Sequence, residues 1–354
     1  MPAEESNIVR LEAKLGKNWP AIRKAHEDTV KLRSNLTSIQ LPPSSDTSVV
    51  VFGSIAREEV TSGSDLDWIL LLDGFAVPEH KLQEREIARE LVKREYIEPG
   101  KSGVFGKMIG SHELVHNIGG DDDTNANTTR RVLFLFESLP ISNPEVHSRV
   151  RRQILRRYLE DDRGLLYAGS DVRIPRFLLN DLTRYWRTIT VDFVYKQRAD
   201  NDKKWALRNA KLRMSRKLIF AAGLLHCFFC HLDPDAEQAR GGLRLLDVSA
   251  LTAYLEMQIS RPPLEVLAKA CLTFEVAEKT CNDLFGNYDR FLSILDDQDM
   301  RAELEATHSH DELRTSETWK EIRDVSHPFH AALISLFFKE DDRLSKLTLE
   351  YGVF

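Results

Sequence analysis

The sequence predicts an α+β fold, with a small sheet set between an N-terminal helical arm and a large α-helical C-terminal region. Three observations carry this. Ser48–Phe52 is a mostly β-branched and aromatic run closed by Gly53-Ser54. Trp68–Leu72 is apolar on both faces, as a buried strand is. Helical periodicity fills both ends of the chain. The 354 residues are 42% hydrophobic and 29% charged, which suits one large or two ordinary domains. A net charge of −6 argues against a generic polyanion binder, so any basic surface is local. No apolar run reaches the length of a membrane span, and no signal-peptide core stands at the N-terminus. Only four cysteines occur, Cys227, Cys230, Cys271 and Cys281. They point to a reducing, cytoplasmic compartment without a disulfide framework.

Taken in order, residues 4–37 read as helical. Ile8, Leu11 and Leu15, then Ile22, Ala25 and Val30, recur at helical spacing, with Pro20 as an interruption. This arm, residues 1–45, is expected to pack on the core that follows. Leu41-Pro42-Pro43-Ser44-Ser45 is a break. Residues 78–96 form a charged amphipathic helix with Leu82, Ile87, Leu91 and Val92 as its buried stripe. Residues 100–131, rich in glycine and polar groups, read as a long solvated loop and a candidate lid. Within it, Gly119-Gly120-Asp121-Asp122-Asp123 lacks the ligand spacing of a calcium loop, and His112 and His116 are too few for zinc. Residues 132–139, VLFLFESL, read as the next strand, with Glu137 near its end.

From about residue 145 the pattern is helical: 145–161, 176–198, 203–232, 245–259, 263–272, 275–307, 311–323 and 327–347. Pro262-Pro263, Gly286 and Pro328 punctuate it. Cys227 and Cys230, flanked by His226 and His231, lie on an apolar helix and read as core rather than zinc ligands. His308, His310, His327 and His330 read as surface or packing residues.

The chemistry gathers in residues 48–73. Asp65 and Asp67 alternate at the entrance of the second strand, so both carboxylates face one spot. They repel each other unless a cation sits between them, and an oxygen-only ligand set suits Mg²⁺ or Mn²⁺. Gly53 lets a phosphate approach the backbone, Ser54 adds a hydroxyl and an N–H, and the start of the following helix adds amides. The run Gly53-Ser54-Ile55-Ala56-Arg57-Glu58-Glu59, followed by Ser64-Asp65-Leu66-Asp67, resembles the nucleotidyltransferase superfamily that includes DNA polymerase beta. The closer likeness is to its branch of bacterial uridylyltransferases of nitrogen signalling and their uncharacterised relatives. Glu58 departs from that branch, which carries Gly there, and puts an added carboxylate beside the expected phosphate cradle.

The resemblance implies a small mixed-sheet nucleotidyltransferase core at residues 46–144 and an α-helical substrate-binding or regulatory domain at 145–354. It implies an NTP donor and transfer of a nucleoside monophosphate to a hydroxyl acceptor (RNA, protein, nucleotide or small molecule), with pyrophosphate release. Asp65 and Asp67 would bind metal, Glu137 would be the third carboxylate, and Gly53, Ser54, Arg57 and Ser64 would hold the nucleotide.

The segment 203–217 adds Lys203, Lys204, Arg208, Lys211, Arg213, Arg216 and Lys217 with no acidic residue. Arg208, Lys211, Arg213 and Lys217 are therefore candidate nucleotide contacts. Helical spacing sorts the cations into two faces, Lys204, Arg208 and Lys211 against Arg213, Arg216 and Lys217, of which one is expected to meet the cleft. Trp205 is a candidate base-stacking group, and Arg184, Tyr185 and Arg187 are candidates for the same wall. Two alternatives stand beside this reading. One is a degenerate nucleotide-binding regulator, suggested by Glu58. The other is an RNA-binding helical module, suggested by the basic helices, including Arg149, Arg151, Arg152, Arg156 and Arg157.

Overall fold

A computed structural model describes residues 6–39, 44–94, 96, 104–167, 172–199, 204–239, 247–307, 312 and 315–353. The expected features at Leu41-Pro42-Pro43, Lys203, His308 and His310 lie outside the described residues.

The sheet contains β1 (Thr47–Phe52), β2 (Trp68–Leu72), β3 (Lys107–Gly110) and β4 (Ser138–Pro140), in the order β3-β2-β1-β4. β1 runs antiparallel to β2 and β4, while β2 and β3 are parallel, so the sheet is mixed. Strand alternation splits it between two apolar cores. Val50, Phe52, Ile69 and Leu71 face the large helical region. Val49, Val51, Trp68 and Leu70 face a smaller cluster that includes Leu36, Ile87 and Leu91.

The N-terminal arm is α1 (Asn7–Leu15) and α2 (Pro20–Thr37), broken ahead of Pro20 as the sequence implies. It reaches further than the sheet. Asn7 N–H donates to Glu265 on α14 (Pro263–Thr273), and Ile22 N–H to Asp289 on α15 (Glu278–Asp296), at 2.8 and 2.9 Å. The arm thus ties the sheet to the far end of the chain. After α3 (Ser54–Arg57), helix α4 (Pro78–Lys93) covers one sheet face through Ile87 and Leu91. Leu82 and Val92, expected in that stripe, are exposed instead, at 62% and 51%.

The largest departure from expectation lies in residues 104–139. In place of a loop and a strand stand β3, α5 (Ser111–His116) and α6 (Asn125–Phe136). Thr124 caps α6 by accepting from Asn127 N–H. Val132 to Phe136 are all buried, at most 6% exposed. A run buried on every side carries no periodicity to tell helix from strand. Glu137 follows as the C-terminal cap residue, and only Ser138–Pro140 joins the sheet.

The remaining helices are α7 (Pro144–Glu160), α8 (Arg163–Tyr167), α9 (Arg176–Ala199), α10 (Trp205–Lys211), α11 (Lys217–Leu232), α12 (Pro234–Ala239), α13 (Val248–Ile259), then α14, α15, α16 (Gln298–Ala306), α17 (Glu317–Phe338) and α18 (Asp342–Leu347). A π-helical turn, Leu212–Arg216, joins α10 to α11. The single helix expected over 275–307 breaks at Asp297, whose side chain caps α16 by accepting from Met300 N–H. Pro328, expected as a break, lies inside α17, where Ile322, Val325, Phe329 and Leu336 bury one face and override the lost hydrogen bond. Cys227 and Cys230 are buried, as are Cys271 and Cys281, and none forms a disulfide. No described helix is long and apolar enough to cross a membrane.

Candidate active site

At the end of β1 the chain must turn sharply under the sheet. Gly53 makes that turn with φ 77° and ψ −146°, a region essentially closed to side-chain-bearing residues. A Cβ at this point would stand 3.9 Å from Asp67 Oδ2 and 4.0 Å from Glu137 Oε1, so the bare backbone adjoins two carboxylates. Phe52 N–H donates to Asp67 O at 2.9 Å, which fixes the start of β2 against the end of β1. The helix after Gly53 is a single turn, too short to offer the anion site expected of it. Phosphate binding falls to Gly53, Ser54 and side-chain cations.

A pocket opens here. Gly53, Ser54, Arg57, Ser64, Asp65, Asp67 and Lys211 line it, as the sequence expects. Thr61, Ser215, Arg216, Leu292, Leu295 and Arg301 line it too. Helices α15 and α16 thus form a wall that nothing in their amphipathic pattern announced. Arg301 also fixes the loop before Asp65. Its Nη2 donates to Gly63 O, while Ser62 N–H and Oγ both bond to Asp296 at 2.9 Å.

The cations reach the pocket across the faces expected from α-helical spacing. Lys211 comes from one predicted face and Arg216 from the other. The π-helical turn between them explains this. It sets residues five apart, rather than three or four, above one another. Arg213 turns to α17, where its guanidinium lies 5.7 Å from the Trp319 ring centroid and Nη1 is 3.2 Å from His327 Nε2. Lys204 pairs with Glu305 at 2.8 Å. Neither these two nor Arg208 and Lys217 lines the pocket. Trp205 packs against Trp319, and Arg184 pairs with Asp123. Arg149, Arg152, Arg156 and Arg157 each pair with a carboxylate, within 2.6 to 2.9 Å, which removes most of the basic face expected of α7.

Glu137 reaches the site by a different route from the one expected. It does not line the pocket and sits behind it, its side chain 1% exposed. Arg57 Nη1 is 2.8 Å from its Oε2, and Arg216 Nη1 is 3.2 Å from Oε1. Arg57 Nε also holds Glu59, at 2.8 Å. Among the described residues no three carboxylate, histidine or cysteine groups lie together as a metal-ligand set. Glu137 is a clamp between two guanidiniums. Asp65 and Asp67 are the pair that fits a divalent ion, because Mg²⁺ is commonly held by one or two carboxylates plus substrate phosphates.

Their electrostatics agree. Burial, then the neighbouring Asp65, pushes the Asp67 carboxyl up to about 7, against the pull of Arg216. Burial is the largest influence on Asp65 as well and pushes it up, but the Lys211 ammonium, a backbone N–H, Arg216 and Arg301 together outweigh it and hold that carboxyl below its ordinary value. Lys211 Nζ stands 3.9 Å from Asp65 Oδ1, and its own burial pulls the ammonium down. Among the described residues no cation forms an ion pair with Asp67, although Arg216 and Lys211 act on it from a distance.

Glu58 is turned away from all of this. It closes α3 in the left-handed conformation, φ 63°, where a glycine carries no strain. Its carboxylate takes Arg33 at 2.7 Å and His26 at 2.8 Å from α2. The added carboxylate braces the arm and stands outside the phosphate cradle, which removes the support it gave to a degenerate site.

Residues 31–102 match the family model of the nucleotidyltransferase domain. The match holds Gly53, Ser54, Arg57, Ser64, Asp65 and Asp67, and it supports nucleotidyl transfer as the general function. Glu137, Lys211, Arg216 and Arg301 lie beyond it. No curated protein matches the chain.

Proposed function

We propose that this pocket transfers a nucleoside monophosphate from an NTP to an acceptor hydroxyl and releases pyrophosphate. The observation that carries the reading is Asp67: a half-buried carboxylate beside a second one, pushed up to about 7, in a pocket otherwise rich in cations. A divalent ion held by Asp65 and Asp67, Mg²⁺ or Mn²⁺, would supply charge neutralisation to the phosphates and acidity to the acceptor hydroxyl. Gly53 lets the phosphates approach the backbone, and Ser54 and Ser64 offer hydroxyls. Lys211, Arg216 and Arg301 face the triphosphate and oppose the charge that grows on the leaving pyrophosphate. Arg57 and Glu137 act behind them, holding Arg216 in place. Leu292 and Leu295 offer the base an apolar wall. In the reaction the acceptor oxygen bonds to the α-phosphorus. The bond from that phosphorus to its bridging oxygen breaks, and the acceptor proton passes to water.

The test is incubation of the protein with Mg²⁺ or Mn²⁺, cell extract and NTPs labelled at the α- or the γ-phosphate. Nucleotidyl transfer puts the α-label on the acceptor and leaves the γ-label in pyrophosphate. Transfer of the γ-label to the acceptor would mean a kinase-type reaction and would refute the proposal.

A further inference from the structure

Outside the pocket, one face of the helical region gathers cations that no carboxylate among the described residues pairs with. Arg213 in the π-helical turn and Lys217 at the start of α11 are four residues apart, and Arg323, His327 and His330 follow one another along a face of α17. The two faces meet where Arg213 Nη1 reaches His327 Nε2 at 3.2 Å and Ser326 Oγ at 3.4 Å. Arg323, His327 and His330 are exposed, and Arg213 and Lys217 are half-buried. Among the described residues none of the five has an acidic partner, and Asp324, one step round α17, pairs with none of them. The contrast with α7 is direct, since there the exposed arginines are matched by carboxylates.

The cost shows in the side chains themselves. Burial, then Arg213, pushes the Lys217 ammonium down to about 8. Burial, then Arg323, lowers Arg213. Burial lowers His330, and Lys217, His327 and Arg213 lower it further. Like charges held together this way, in a protein of net charge −6, call for an anion. The cluster is elongated. At about 1.5 Å per residue, Arg323 to His330 alone span roughly 10 Å, more than one phosphate group occupies. Beside it, one turn beyond Lys217, Phe220 stacks on Trp186 with ring centroids 5.3 Å apart, and both rings are partly exposed. Cations along a line with an aromatic pair at its edge are the ingredients of sequence-tolerant single-strand binding.

We propose that the α11–α17 face binds the phosphodiester backbone of a single nucleic acid strand. Arg213, Lys217, Arg323, His327 and His330 contact its phosphates, and the Trp186–Phe220 pair offers a stacking edge. The face is separate from the triphosphate pocket and stands whether or not that pocket transfers nucleotides.

The experiment uses the full chain and a 5′-labelled 12-nucleotide RNA, read by fluorescence anisotropy across a salt series. The variant is Arg323→Glu with His330→Glu, two exposed residues that do not line the pocket. Its affinity should fall at least about tenfold, and the slope of log K against log salt should become shallower by about one or more. ATP binding in the pocket and the thermal midpoint should not change. Lys279→Glu, an exposed charge reversal on α15, should leave RNA binding as in wild type. The milder Arg323→Gln with His330→Gln should show an intermediate loss and covers the case in which the double reversal misfolds. Unchanged RNA affinity and salt slope in a folded charge-reversal variant would overturn the proposal. So would a face that takes inorganic phosphate yet gives the 12-mer no advantage over it, for then it is a small-anion site.

Discussion

Two regions of this molecule bring carboxylates and guanidiniums together and treat them in opposite ways. In the first, Asp123 accepts from Arg131 Nη1 and Nη2 at 2.9 and 2.8 Å and from Arg184 Nη1 at 2.9 Å. Arg131 also bonds Asp181 and the Tyr158 hydroxyl, the latter at 2.7 Å. Every charge there has its partner, and burial of Asp123 is outweighed so thoroughly that its carboxyl sits at about 2. In the second, Asp67 adjoins a like charge and sits at about 7. The same element types make both: α6 and α9 build the first, and the cap of α6 with strands β1 and β2 builds the second. A cluster that closes its own electrostatics is structure. One that leaves them open at the mouth of a cavity is a place for a ligand.

That comparison can be broken most sharply by removing a carboxylate from each side. Asp65→Asn or Asp67→Asn should remove nearly all NTP-dependent labelling. Asp67→Asn should leave the thermal midpoint similar or higher, since repulsion is relieved. Asp65→Asn strips Lys211 of its partner and should lower it. Asp123→Asn should cost about 2–3 kcal/mol of stability, because buried Arg131 keeps only Asp181 as a carboxylate partner and Arg184 loses its bond to Asp123 Oδ2. Thermal unfolding beside the labelling assay reads both. Asp67→Asn that melts early, or labels normally, would erase the distinction.

Glu137 belongs to both regimes, being fully paired yet adjoining the pocket. Glu137→Gln should cost about a hundredfold in turnover, the scale of misplacing a charge-stabilising group such as Arg216. It should also weaken NTP binding, because Arg216 loses its anchor. Turnover loss with full NTP affinity, in paired kinetic and equilibrium measurements, would instead make Glu137 a participant in the chemistry alone.

The two carboxyls should also differ in sign with pH. Asp67 binds its proton more tightly in the folded chain than its ordinary value of 3.8 allows. Its contribution to stability is full below that value and is lost as pH rises towards about 7. Asp123 is depressed, so its contribution is present above 3.8 and is lost as pH falls towards about 2. The midpoint of Asp67→Asn should therefore fall less than that of wild type between pH 4 and 7, as seen by differential scanning calorimetry in metal-free buffer.

Smaller effects sharpen the edges of the pocket. Arg301→Met should weaken NTP binding about tenfold, the scale of one hydrogen bond to a charged group, by isothermal titration. Glu58→Gly should be nearly silent. It relieves a left-handed backbone strain of about 1 kcal/mol and loses the Arg33 and His26 pairs, so stability should move by no more than about 1 kcal/mol and NTP affinity not at all.

The parts legible in the sequence were those written locally. Gly53 and the Asp65–Asp67 alternation report on a turn and a strand, and both strands stand where the apolar runs end. What depended on long-range burial was hidden. The run at 132–136 is apolar on every side, and its period is invisible once both faces are covered. Arg301 lies nearly 240 positions from the loop it holds. The grouping of Lys211 with Arg216 depends on a π-helical turn that no simple spacing rule announces. Glu137 was found for its acidity at the end of an apolar run, and the structure keeps it near the site while changing its partners.

The central claim, that the open charge at Asp65 and Asp67 is the place of a metal-bound triphosphate, is tested most directly by Mn²⁺ binding. The free-ion paramagnetic resonance signal is followed during titration with a non-hydrolysable NTP analogue present. Wild type should take up Mn²⁺ together with the analogue, and Asp65→Asn and Asp67→Asn should each bind it at least about tenfold more weakly. Equal Mn²⁺ uptake by wild type and both variants would contradict the account.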